Sequence, residues 1–217
     1  MWKEIRALIL KDITLEWRQR YSLSGIALYL AATIFLIYIS MVEIEPLTWI
    51  TLFWITLLFT AVSAVAKSFM QESRGRVLYY YSIANPRSVI ISKLIYNSAM
   101  MIILALLGLL LYSIINKSPI VQLSFFTAVI ILGGISFGLS FTMMSAISSK
   151  ANQNMTLMAI LSLPFIVPVL LLLIKLSQYA LLNHIENFPY RDFLLLFALD
   201  TLMISLAILL FPYLWRD

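Results

Sequence analysis

Six stretches of this chain carry almost no charge, and each is long enough to cross a lipid bilayer. They run Tyr21–Val42, Pro46–Ala66, Leu94–Asn116, Ser118–Ser149, Ala151–Ile174 and, with Asp200 as its one exception, Phe193–Trp215. About 30 Å of hydrocarbon takes roughly 20 apolar residues at about 1.5 Å each. The fourth window exceeds that need, so part of it must tilt or lie outside. Only 12% of the residues are charged and 62% are hydrophobic, with a mean hydropathy of +0.97. A soluble domain carries about a quarter charged residues. The expected fold is therefore all-α and integral to the membrane, with six transmembrane helices over 21–217.

The basic residues set the orientation. With six spans both termini share one side. That side holds Lys3, Arg6, Lys11, Arg18, Arg20, Lys67, Arg74, Arg76, Arg87, Lys93, Lys150 and Arg216, while the other holds Lys117, Lys175 and Arg191. Basic loops stay in the cytosol, which predicts both termini inside. The net charge of +5 thus reflects membrane orientation, and no basic cluster points to nucleic acid. The run Tyr21–Val42 is too long for a signal-peptide core and no A-x-A site follows, so it reads as a retained span.

Ahead of it, residues 1–20 place Trp2, Ile5, Ile9 and Ile13 three and four apart, with Lys11 and Arg18 opposite. That spacing predicts an amphipathic helix lying on the inner leaflet, the alternative being a frayed tail. For the third span, Asn85 can cap and Pro86 suits the first helical position, so the helix can run to Ile115. At about 45 Å this helix outreaches the hydrocarbon, and its first turns should project into the cytosol.

Catalytic signatures are scarce. None of the six glycines is followed by lysine, so there is no phosphate-binding loop for ATP. One histidine and no cysteine leave no His-based or thiolate metal cluster and no covalent haem attachment. The chain is not expected to be an enzyme or to hold a cofactor of its own. Asp200 is the single acid inside a span: either a functional intramembrane group, or one satisfied by a neighbouring Ser, Thr or Asn such as Asn97. His184, in the external connector, is a candidate axial ligand for haem or an ordinary surface residue. Tyr179, Leu182 and Ile185 there can form a short amphipathic helix with Leu181 beside them. Gly134-x-x-x-Gly138 permits close helix packing, and Pro164 with Pro168 should kink the fifth span, as a hinge or a fixed bend.

The longest charged interruption is 67–93, K-S-F-M-Q-E-S-R-G-R-V-L-Y-Y-Y-S-I-A-N-P-R-S-V-I-I-S-K, with five of the fifteen basic residues. Glu72, Arg74 and Arg76 surround Gly75, followed by Val77, Leu78 and three tyrosines. A short helix broken at Gly75 would show charge to a partner and keep an aromatic face for packing. The alternative is a plain solvated loop, which is seldom so aromatic.

The pattern Glu72…Gly75-x-x-Leu78…Pro86…Lys93 resembles the cytosolic coupling segment of type-2 ABC exporter permeases. With six spans, an amphipathic N-terminal helix and no ATPase, the chain most resembles the CcmB family of haem-exporter permeases. K-D-I-T-L-E-W-R-Q-R (Lys11–Arg20) is similar to the family's N-terminal entry, and L-P-F-I-V-P-V-L-L (Leu163–Leu171) to its proline-paired fifth span. Tyr79–Tyr81 depart from the polar residues expected after the glycine. The resemblance implies a permease in the bacterial cytoplasmic membrane, active in haem export for c-type cytochrome maturation. It also implies a separate ATPase subunit that binds ATP and docks at Glu72, Arg74, Gly75, Arg76, Leu78 and Pro86, with a second copy of the chain. A haem-handling membrane protein and a small single-span subunit complete the implied assembly, with haem as the possible substrate. Two other functions fit the residues: a type-2 permease for a lipid, drug or polysaccharide, and a non-transporting factor whose ATP-driven motion releases a haem chaperone.

Overall fold

A computed structural model describes residues 1–18, 20–41, 43–65, 85–150, 155–182 and 188–216. The described residues form seven helices and no strand: α1 (Trp2–Arg18), α2 (Arg20–Ser40), α3 (Pro46–Val65), α4 (Pro86–Ile115), α5 (Leu123–Lys150), α6 (Met155–Tyr179) and α7 (Tyr190–Arg216). Five of them, α3 to α7, contain stretches long and apolar enough to span a membrane. In α2 the corresponding described stretch, Ser24–Ser40, is shorter.

Local chemistry explains the helix ends. Asn85 keeps an extended conformation (φ −71°, ψ 128°) and its side chain accepts the Arg87 N–H, so α4 is capped where Pro86 begins it. Pro46 starts α3 in the same position, and the Trp49 N–H donates to the Glu45 carbonyl at 2.8 Å. After α4 the chain reverses through Lys117 at φ 43°. Val121 and Gln122 then donate N–H groups to the Ala180 carbonyl at 3.1 and 3.0 Å, tying this loop to the end of α6.

Three boundaries differ from the sequence expectation. Ser118–Gln122 lie outside any helix, so the long fourth window loses its first residues to the loop. Lys175 lies inside α6, because a charge ends an apolar window without ending a helix. Leu181 and Leu182 lie in the turn that follows α6 rather than in a helix of their own; Ile185 and His184 fall outside the described residues.

The bundle centres on α5, which packs against α3, α4, α6 and α7. Contacts fix the helix directions. Gly134 meets Ile102 and Gly138 meets Ser98, so α4 and α5 are antiparallel. Phe125 meets Phe193 edge to face while Ser136 meets Asp200, so α5 and α7 run together. One end of the bundle therefore gathers α1, the start of α4 and the ends of α5 and α7. A Cβ on Gly138 would sit 2.5 Å from the Ser98 Cα, and one on Gly134 would sit 3.1 Å from the Ile102 backbone. The glycine pair thus lets two helix backbones touch, as expected of its spacing.

Polarity is distributed as lipid demands. Leu28, Leu36, Ile103, Leu171, Leu194 and Leu209 face outward, whereas Thr56, Ser98, Ser136, Thr142, Ser145 and Ser177 are buried. Trp49, Phe53, Tyr112 and Phe126 cluster in the core with ring centroids 4.6 to 6.0 Å apart. Trp54 buries its ring and donates Nε1–H to Ser177 Oγ at 2.8 Å, so α3 is also bonded to α6.

Candidate functional site

A row of polar contacts joins α1 to the first turns of α4. On α1, Glu4, Leu8, Asp12 and Glu16 recur every four residues and so share one face, with Ile5 beside them. Ile5 and Asp12 are buried, and Leu8 packs against the core. Trp2, Leu10, Ile13 and Trp17 remain exposed. The apolar stripe read from the sequence is therefore divided: Ile5 turns inward, while Trp2 and Ile13 turn away. The inward face is built around acids, because α4 offers them donors.

Glu4 reaches the start of α4. Its Oε1 accepts the Asn85 N–H at 2.7 Å and its Oε2 accepts the Ser88 hydroxyl at 2.8 Å. Asn85 thus caps α4 with its side chain while its own N–H is held by Glu4. A negative charge at a helix N-terminus also opposes the partial positive charge of the unpaired N–H groups there. The Asn85 N–H holds the Glu4 carboxyl below the usual carboxylate range, helped by Ser88 and opposed by burial.

Two turns further along α1, Asp12 Oδ2 lies 3.1 Å from Lys93 Nζ, with side-chain exposures of 6% and 7%. The contact is an ion pair rather than a well-directed hydrogen bond, since Oδ2 has no geometric donor. Lys11 lies 3.2 Å from Oδ1, so the acid faces two cations. The Tyr96 hydroxyl approaches Glu16 Oε2 at 3.4 Å, a weak contact that completes the row. Sequence spacing pointed to Trp2, Ile5, Ile9 and Ile13 as one apolar face, with Lys11 and Arg18 opposite. The usable signal was instead the four-residue recurrence of Glu4, Leu8, Asp12 and Glu16, a stripe beside the apolar one.

Of the expected docking residues only Pro86 lies in the described part, at the first position of α4. Glu72, Arg74, Gly75, Arg76 and Leu78 lie outside the described residues, as does His184. The two polar residues expected within the bundle do not meet each other. Asn97 donates to Thr142 Oγ1 at 2.9 Å across α4 and α5, whereas Asp200 bonds Ser136 on α5 at 3.0 Å. The partner of Asp200 is thus a serine and not Asn97. Pro164 and Pro168 lie within the continuous helix α6; both rings face outward, while Ile166 and Val169 between and beside them point inward.

A family model described as CcmB protein matches residues 3–213, nearly the whole chain. The chain belongs to the CcmB family. Comparison with curated proteins gives no match, and comparison with solved structures gives none either. Membership makes this chain a membrane component of haem-export ABC transport serving cytochrome c maturation, a transporter permease component. Members of the CcmB family take part in an ABC complex with an ATPase partner. The matched range includes α1, so the helix that grips α4 lies within the CcmB match and is not an appendage to it.

Proposed function

We propose that this chain is the permease half-unit through which a separate ATPase drives haem delivery, and that α1 and α4 receive the stroke together. The observation that carries this reading is the grip of Glu4 and Asp12 on Asn85, Ser88 and Lys93. The connector 67–93 enters α4 at Asn85, so a displacement delivered there arrives at a helix start already bonded to a second helix. Motion transmitted by packed, hydrogen-bonded elements moves them as one body.

In this reading α2 is the first of six spans, and both termini face the cytosol of a bacterial inner membrane. Basic residues support that orientation. Lys3, Arg6, Lys11, Arg18, Arg87, Lys93, Lys150 and Arg216 belong to the elements gathered at the α1 end, against Lys117, Lys175 and Arg191 toward the other. The exposed Trp2, Leu10, Ile13 and Trp17 give α1 an outer face fitted to the interfacial zone of the inner leaflet. Two copies would each dock one ATPase subunit at Glu72, Arg74, Gly75, Arg76, Leu78 and Pro86. A haem-handling membrane protein and a small single-span subunit would complete the complex.

The test is made on the assembled complex. Glu72→Ala and Gly75→Pro should leave the chain inserted but separate ATP hydrolysis from cytochrome c maturation. Normal maturation with an unaltered ATPase complex would remove the connector from the mechanism. Recovery of the chain from membranes with no ATPase attached would remove the docking reading altogether.

A further inference from the structure

Asp200 lies in the inward stripe of α7 between Leu196 and Met203, 6% exposed. Its Oδ2 is 3.0 Å from Ser136 Oγ, and its Oδ1 has no partner. The same Ser136 Oγ lies 3.1 Å from the Leu132 carbonyl on its own helix. A serine hydroxyl has one proton to give and lone pairs to receive. A carbonyl and an ionised carboxylate are both acceptors, so one hydroxyl cannot satisfy the two. A protonated Asp200 resolves the conflict: Oδ2–H donates to Ser136 Oγ, and the Ser136 hydroxyl donates to Leu132.

No cation competes for this role among the described residues of the packed helices. Between Leu123 and Ser149, α5 carries no ionisable group. At the Ser136 level α4 presents Ser98 and Ile102, which lie against the α5 glycines. Lys93, nearer the start of α4, pairs with Asp12 at 3.1 Å, and Arg87 is exposed. Tyr96 faces Glu16, and Tyr112 lies in the aromatic core. On α6, Lys175 pairs with Asp192 at 2.8 Å. A bare carboxylate in apolar surroundings without a counter-ion is costly, and such a group takes up a proton instead.

We propose that Asp200 is a proton-binding site inside the bundle: as the neutral acid it ties α7 to α5 through Ser136, and loss of its proton leaves a buried carboxylate with one serine donor and no counter-ion, which loosens the seam. Ser140 lies one turn along the same face of α5, and its hydroxyl is also buried without a partner. The seam therefore contains a second buried polar group one helical turn from Ser136. This site is independent of how the connector docks.

Infrared difference spectroscopy tests it on the full chain in lipid nanodiscs at neutral pH, wild type minus Asp200→Asn. A protonated-carboxyl C=O band that shifts in D2O should appear in the wild type, vanish in Asp200→Asn and move in Ser136→Ala. Carboxylate bands in its place would overturn the proposal. If Asp200→Asn does not fold, the Ser136→Ala spectrum decides, and an unmoved band there is equally fatal. Alkaline titration supplies the second readout. The thermal midpoint of the wild type should fall over the pH range in which the band disappears, while that of Asp200→Asn stays level. Equal losses in both would show that the proton does not hold the seam.

Discussion

Asp12 and Asp200 are equally buried, each 6% exposed, yet their surroundings demand opposite charge states. Asp12 faces Lys93 at 3.1 Å and Lys11 at 3.2 Å, at the end of the bundle where α1 grips α4. Asp200 faces a serine, midway along a seam with no cation beside it. Burial alone does not decide what an acid does. Two lysines let Asp12 act as a charged bolt, while a single hydroxyl lets Asp200 persist only as a neutral donor. The first contact suits a rigid joint and the second suits a seam that can be released.

The contrast predicts unequal responses to the same kind of change. Asp12→Ala removes the buried carboxylate that faces both Lys93 and Lys11 and should cost up to about 3–5 kcal/mol, seen as a lowered thermal midpoint and faster proteolysis of α1. Replacing Asp12 and Lys93 together by apolar residues of similar volume should recover most of that loss. If the single change is silent, the joint is not held by charge.

Gly138 lies between the two regions. Gly138→Ala forces a methyl group against the Ser98 backbone and should cost about 1–3 kcal/mol by prising α4 from α5. An unaffected midpoint would mean that the two backbones are not in contact. Glu4→Ala is a smaller change, about 0.5–1 kcal/mol, because the carboxylate is partly exposed. Its pH dependence has a definite sign. The docked Glu4 carboxyl titrates below its free value near 4.5, so the undocked form binds protons first. Docking is then complete above that value and is lost as the pH falls through the docked one, which proteolysis of α1 against pH would follow. Release of α1 on raising the pH instead would contradict the Glu4 contact.

The smallest effect should come from Asp200→Asn. An amide N–H can replace the carboxyl proton toward Ser136, so stability at neutral pH should change by less than about 1 kcal/mol. A loss as large as that of Asp12→Ala would make the two aspartates alike and end the comparison.

Features set by neighbouring residues were legible in the sequence. The Asn85–Pro86 start of α4 and its run to Ile115 follow from capping chemistry within a few residues. The Gly134–Gly138 contact follows from side-chain size. Features set by distant partners were hidden. Nothing near Glu4 shows that its donors stand at Asn85 and Ser88, and the apolar residues of α1 suggested a face other than the stripe that the acids line. The partner of Asp200 depended on which helices adjoin, and periodicity does not say that α7 lies along the Ser136 face of α5. The membrane class needed no tertiary knowledge, because window length and charge suffice for it.

The central claim is that α1 and α4 move as one body when the ATPase acts. The chain has no cysteine, so residues 4 and 88 can be changed to cysteine as its only thiols and joined by a short bis-maleimide. ATPase turnover and haem-chaperone release are then measured in the purified complex before and after cross-linking. Both rates should be preserved in the cross-linked complex. Their loss on cross-linking, with normal rates in the same uncrosslinked variant, would show that the two helices must part during the cycle.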